Sequence, residues 1–372
     1  MNNNWQKVKL GEVIDINAKS VERNYHHKEI KYVDISSVGT GELLTTTTYL
    51  LTEAPGRAKR LVSDGDTILS TVRPNRRSFY FVKDPKDNLV VSTGFAVLTP
   101  KYKKMDPRFL YYFVTRQQFS DYLTANTMGS AYPAVNINVI ADAEIIIPEY
   151  TDQHRIASIL SAFDDKIELN NKINQTLEQM AQAIFKEWFG TSQKSKGWEK
   201  TANLESTCDI VYGKDLPTKN FKKQGFPVYG GNGIIGYSDK YLYNEPQIIV
   251  GCRGAYSGNI FKTEPKSFVT HNSLVLRIKK QQSVGINYLL YVLEKSNVRS
   301  TVTGSAQPQI TITELNKLQV QIPDRELAKQ FEKEIGVIED YKFKNYKENK
   351  KLASLRDLLL PKLMSGEVGI EA

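Results

Sequence analysis

The chain has 372 residues, 40% of them hydrophobic and 24% charged, a composition suited to two or three folded domains rather than a disordered or fibrous chain. Lys and Arg number 50 against 41 Asp and Glu, and the resulting net charge of +9 favours polyanionic partners, of which nucleic acid is the commonest. Two cysteines (Cys208, Cys252) and four scattered histidines (His26, His27, His154, His271) are too few for a disulfide framework or a metal centre, and no apolar run is long enough for a membrane span.

The opening stretch, MNNNWQKVKLGEV, has no apolar signal core, so a cytoplasmic chain with no membrane partner is expected. Residues 1–150 then read as strand-rich: KYVDIS from Lys31, DTILSTV from Asp66, SFYFVK from Ser78 and LVVSTGFAVLTP from Leu89 are short β-branched and aromatic runs between turns. One helical patch interrupts them, Arg108 to Leu123, with Phe109, Tyr112, Phe113, Arg116 and Phe119 at three-to-four spacing. Residues 151–190 form a long helix on which Ile156, Leu160, Phe163, Ile167, Asn170, Asn174, Leu177, Ala181, Ile184 and Trp188 advance by alternating fours and threes, the seam of a coiled coil. A polar linker, GTSQKSKG from Gly190, precedes a second strand-rich region over residues 191–323 (FPVY, QIIVGC, NIFKT, SLVLRIK), with a helix expected from Ile286. Residues 324–372 are again helical.

The chain is a tandem repeat. GSAYPAVNINVIADAEIIIP begins at Gly129 and GSAQPQITITELNKLQVQIP at Gly304, 175 residues on, and the same offset carries Ile147-Pro148 onto Ile322-Pro323. It also carries the helical seam onto Phe331, Ile335, Ile338, Lys342, Asn345, Asn349, Leu352, Arg356, Leu359 and Leu363. A helix of about 35 residues extends roughly 50 Å and cannot bury its stripe on a small domain. Two similar helices in one chain pair most simply antiparallel, with Asn170 opposite Asn349 and Asn174 opposite Asn345. Asparagines at such positions either fix register or merely face solvent. The expected fold is α+β: two tandem, pseudo-repeated, strand-rich domains separated by two long helices that form an antiparallel coiled coil.

Residues able to contact DNA fall on loops. Arg57, Lys59 and Arg60 follow a Pro-Gly turn; Arg73, Asn75, Arg76 and Arg77 follow DTILSTV and precede Tyr80. Lys and Arg on exposed loops neutralise phosphates, and Arg forks onto guanine. Arg253 in GCRGAYSGN occupies the place of Arg73, with Tyr256 and Ser257 as donors and glycines 251, 254 and 258 permitting close backbone approach to another surface. YGGNGIIGYSDKY adds Tyr229, Asn232, Tyr237 and Lys240; the paired GSAYP and GSAQP loops add Ser130, Tyr132, Ser305 and Gln307. A solvated loop or a structural turn is the plain alternative for each. Gly231, Gly233 and Gly236 spell G-x-G-x-x-G, but turn and strand follow instead of the helix that a dinucleotide fingerprint opens.

The run IPEYTDQHRIASILSAFDDKIELNNKINQTLEQMAQAIFKEWF resembles the central helical region of the specificity subunits of type I restriction–modification enzymes, and KLASLRDLLLPKLMSGEV resembles their C-terminal region. The resemblance spans the chain and implies two target recognition domains alternating with two helical spacers. It implies that each domain reads one half of a bipartite, asymmetric site in double-stranded DNA while the helices set the unspecified gap. Implied partners are two methylation subunits and, optionally, two restriction subunits; S-adenosylmethionine, ATP and Mg would belong to those subunits, and none to this chain. In keeping with that, the sequence has no Pro-Pro for an adenine-methylation motif and no phosphate-binding G-x-x-x-x-G-K-[ST] loop. His154, beside Asp152 at the first helix's start, reads as a cap or partner contact rather than a base. The rival readings are a self-sufficient DNA-modifying enzyme with an unrecognised active site and a coiled-coil assembly protein with no DNA role.

Overall fold

The structure, a computed structural model, describes residues 5–22, 24–129, 133–190, 198–280, 282 and 284–368, with the backbone alone for 198–200. Beyond Gly190, the expected linker lies outside the described residues. Two compact units result: one takes the chain up to Leu169 and from Glu348 onward, the other Asn170–Lys347. Each therefore holds one strand-rich domain and a part of both long helices.

In the first unit Gln6–Lys9 pairs antiparallel with Glu144–Ile147. Between them lies an antiparallel sheet in the order Ile14–Ile16, Phe95–Pro100, Thr67–Ser70, Phe79–Phe81. A second sheet runs Thr47–Leu50, Glu29–Val33, Leu89–Ser92, Ala58–Leu61, and its two central strands are parallel. Every residue of Thr67–Ser70 is buried, so this central strand shows no alternation of covered and exposed positions.

The second unit repeats the plan. Trp198–Asn203 pairs antiparallel with Gln319–Pro323. The antiparallel sheet runs Cys208–Tyr212, Ser273–Ile278, Ile248–Gly251, Ile260–Lys262. The other sheet has Gly233–Ser238, Phe226–Gly230 and Phe268–Val269, the last pair again parallel. DTILSTV and PQIIVGC thus supply the same strand of the same sheet, as their positions in the repeat require.

The helical patch expected over 108–123 is two helices, Pro107–Val114 and Gln117–Ala125. The division falls at Thr115, whose hydroxyl donates to the Tyr111 carbonyl (2.7 Å), and Arg116 turns to extended backbone. At the end of the counterpart helix, Ile286–Lys295, Ser296 Oγ likewise donates to the Val292 carbonyl (2.7 Å).

The long helices span Tyr150–Phe189 and Arg325–Ser365, longer than the expected 35 residues. Within each unit they run antiparallel. In the first, Asp164 pairs with Arg356 and Lys166 with Glu348 (3.8 Å). In the second, Asn345 Nδ2 donates to Asn174 Oδ1 (2.8 Å), Asn174 Nδ2 donates to the Lys342 carbonyl (3.1 Å), and Lys342 pairs with Glu178. Asn174 therefore faces Asn345, which is buried. Asn170 is also buried; it and Asn349 belong to different units. The polar seam positions Lys342 and Arg356 are each answered by a carboxylate, as partly buried charges require.

The helices complete both cores. Ile156, Leu160, Leu363 and Met364 join the core of the first unit, and Ala181, Phe185, Phe189, Phe331 and Ile335 that of the second. Phe331, fully buried, packs edge-on to Phe185, Phe189, Tyr288, Tyr291 and Trp188. Phe331→Ala is expected to destabilise this unit by about 3–5 kcal/mol, read from chemical denaturation followed by near-ultraviolet circular dichroism of the aromatic cluster.

Candidate nucleic-acid interface

In the first domain the strand Thr67–Ser70 runs out into a 3-10 turn at Pro74–Arg76, flanked by Arg73 (φ 50°) and Arg77 (φ 56°), both left-handed. Non-glycine residues hold that conformation only where neighbours enforce it. Here the Arg73 N–H donates to the Pro133 carbonyl (2.8 Å) and Ser120 Oγ to the Pro74 carbonyl (3.0 Å). The enforced turn leaves Asn75 and Arg76 exposed at the tip and Arg73 half-buried. Arg77, expected among the DNA contacts, is itself one of the fastenings: Nη2 donates to the Thr115 carbonyl (2.8 Å) and Nη1 to Gln117 Oε1 (3.0 Å).

The arginine turn lies beside the end of the GSAYP loop, Val72 bridging Ala134 and the Val135 N–H bonding the Thr71 carbonyl (2.8 Å). Ser130 and Tyr132 fall outside the described residues. The Thr93–Gly94 turn links a second basic group: Gly94 O accepts from the Thr71 N–H and Arg57 O from the Thr93 N–H. Arg57 and Lys59 are exposed and Arg60 is half-buried on the edge strand Ala58–Leu61. Tyr80 is half-buried against a core cluster and is a packing residue more than a tip.

The second domain builds the same junction from different residues. The Gly254 N–H donates to the Pro308 carbonyl (2.8 Å), Arg253 bridges Gln309, and the Ile310 N–H donates to the Cys252 carbonyl (3.0 Å). Here GSAQP, with Ser305 and Gln307 exposed, sits beside exposed Arg253 and Tyr256. The Gly231–Gly233 turn joins them. A Cβ on Gly251 would fall 2.4 Å from the Tyr256 carbonyl oxygen and 2.7 Å from that of Gly231, so only glycine fits. Exposed Asn232 accepts from Asn259 Nδ2 (3.4 Å), and Arg299 Nη2 donates to Asn259 Oδ1 (3.4 Å).

Some expectations are corrected. Tyr229 is a core residue, 5% exposed, whose hydroxyl accepts from the Glu264 N–H (3.0 Å). Ser257 is buried and its hydroxyl donates to the Pro308 carbonyl (3.1 Å), so it fastens the junction instead of facing a ligand. Gly251 and Gly258 serve close packing inside the domain, against Gly231 and Arg299, whereas Gly254 (φ +66°) stands in open space. Tyr237, half-buried, pairs with Pro227 toward the end of the hairpin away from the Gly231–Gly233 turn, and exposed Lys240 lies beyond it. The G-x-G-x-x-G glycines occupy that hairpin, with no helix after them. Sequence reading missed Arg299, which reaches this site from a helical turn 40 residues downstream of Asn259.

Burial pushes the Cys208 thiol up to about 12 and raises that of Cys252, which keeps both protonated at neutral pH. Among the described residues no group of three or more His, Cys, Asp or Glu could hold a metal, and no helix is long and apolar enough to cross a membrane. His154 Nδ1 lies 3.0 Å from Asp106 Oδ2, the residue that caps helix Pro107–Val114 through the Phe109 N–H. It is a partner contact, although to Asp106, while Asp152 pairs with Arg155.

Twin strand-rich bodies, each carrying a basic turn locked against a small-residue loop and each seated on long helices, define a tandem recognition protein. The family described as "Type I restriction modification DNA specificity domain" matches residues 2–179 and again 195–347, and the chain belongs to it. The type I restriction enzyme HindI specificity subunit of Haemophilus influenzae is 24% identical over 98% of this chain and 99% of its own. The MjaIX specificity subunit of Methanocaldococcus jannaschii is 26% identical over 82% and 78%. The crystal structure of a type I restriction–modification S subunit from M. genitalium has the same fold (TM-score 0.62, 18% identity, covering 98% of this chain and 97% of that one).

Arg76→Ala and Arg253→Ala are each expected to weaken DNA binding and to lower the slope of log affinity against log salt by about one, at unchanged thermal stability. Tyr229→Phe and Ser257→Ala, by contrast, should lower the melting temperature and leave that slope in place.

Proposed function

We propose that this chain is the non-catalytic, DNA-reading subunit of a multisubunit methyltransferase, with or without restriction subunits, acting in the cytoplasm. Each domain takes one half-site of an asymmetric duplex target through its arginine turn and the loop beside it. The antiparallel helices carry the two readers and offer docking surfaces to two methylation subunits. S-adenosylmethionine, ATP and Mg belong to the partner subunits. What carries the reading is the recurrence of one junction in both matched halves: Arg73 beside Pro133–Val135 and Arg253 beside Pro308–Ile310. The missing Pro-Pro and G-x-x-x-x-G-K-[ST] motifs support a catalytic division of labour.

Incubating the purified chain with DNA and a labelled methyl donor should give no incorporation until methylation subunits are added. Incorporation by the chain alone would establish the rival, a self-sufficient modifying enzyme. Methylome sequencing of cells carrying the whole system should report a two-part motif with a fixed gap. Inserting one heptad beside Asn171 adds about 10 Å of helix, close to three base pairs of duplex. The insertion is expected to lengthen the gap or abolish modification, and an unchanged motif would remove the helices from the measuring role.

A further inference from the structure

Each unit contains a buried tyrosine that leaves its strand-rich domain to meet a carboxylate on a long helix. Tyr112, on helix Pro107–Val114, donates to Asp164 Oδ2 at 2.5 Å, and Asp164 is paired in turn with Arg356. Tyr291, on helix Ile286–Lys295, has its hydroxyl 3.2 Å from Glu339 Oε1 and 3.4 Å from Glu178 Oε2. The rings are 2% and 1% exposed, and burial, reinforced by the carboxylates, pushes both phenols far up, so each remains a donor.

The two contacts are equivalent in the repeat. The 175-residue offset that relates the helical seams carries Asp164 onto Glu339, and the alignment of the matching domain helices carries Tyr112 onto Tyr291. Around this shared contact the cations have diverged. Arg356 answers Asp164, whereas Lys342 bonds Glu178 and Glu339, and Lys262 lies 3.3 Å from Glu339. Packing alone does not call for the hydroxyls, since phenylalanine fills nearly the same volume. Tyr288, on the same helix as Tyr291, directs its hydroxyl to the Gln321 carbonyl at 3.0 Å, and burial raises its phenol. A phenol bonded to a charged acceptor away from water is strong and directional, and it fixes a rotation that apolar contact leaves soft.

We propose that Tyr112 and Tyr291 are positioning residues, which hold each reader at a set angle on its stretch of long helix and thereby sharpen discrimination of gap length. This rests on the bipartite reading above. One added base pair displaces a half-site by about 3.4 Å and about a tenth of a turn, a shift that a swivelling reader absorbs and a held one does not.

The test uses the complex assembled with its methylation subunits, and duplexes carrying the native gap or one changed by a single base pair. Tyr112→Phe and Tyr291→Phe should each keep affinity for the native duplex within about threefold, while the preference for it over the altered gap falls by about tenfold. Tyr288→Phe, which removes the same atom from the same helix but from a bond to the Gln321 carbonyl, should keep the full preference. An intact preference in both lock variants overturns the proposal, and so does an equal loss in Tyr288→Phe, which would mark a general softening. A parent complex indifferent to gap length overturns the bipartite reading itself and takes the locks with it.

Discussion

An apolar stripe along a 40-residue helix must be covered, and one small domain can cover only part of it. Here the stripe is divided. Ile156 and Leu160 complete the core of one unit, Ala181, Phe185 and Phe189 that of the other, and the second long helix contributes Leu363 and Met364 to the first core and Phe331 and Ile335 to the second. Between these apolar contacts the helices meet through charge pairs and asparagines, which cost more to misalign than apolar side chains do. Reader and spacer are therefore one packed body within each unit, not a domain hung on a rod.

The junctions proposed to read DNA, one in each unit, share a main-chain frame and differ in side chains. The first uses left-handed arginines around Pro74–Arg76, the second uses Gly254 in open space with Gly251 and Gly231 in contact. In both, the proline carbonyl of the loop that begins Gly-Ser-Ala accepts from an N–H of the arginine turn, that of Arg73 or that of Gly254. The frame is kept by backbone hydrogen bonds, which are indifferent to sequence, so the exposed positions are released to vary. Exposed Asn75 and Arg76 in the first unit and Arg253, Tyr256 and Gln307 in the second carry quite different donors.

Much of this was legible in the residues. Local period announces the long helices, and the 175-residue offset announces that both domains fold alike; the strands at Thr67 and Ile248 fall in the same sheet position. Exposure was harder to read. Tyr229 and Ser257 look like loop donors in the sequence, but which strand face is covered depends on Ile249, Val269 and Pro308, distant in the chain. Arg77 looked like its neighbour Arg76 until Thr115 and Gln117 claimed its guanidinium. Phe185 and Phe189 lie off the 3.5-residue seam yet join the same core as the seam residue Ala181, because the domain covers a wider face of the helix than the seam marks. The extended backbone at Arg116 divides a helix that spacing alone would continue.

The partition of the chain also dictates an order of events during synthesis. The first unit closes its core with Leu363 and Met364, so an emerging polypeptide has its opening domain exposed at one flank while almost two hundred further residues are added. The second unit draws only on residues 170–347 and has no such wait. Contacts of this sequence separation form slowly and leave apolar surface open in the meantime. The half made first is thus the half finished last.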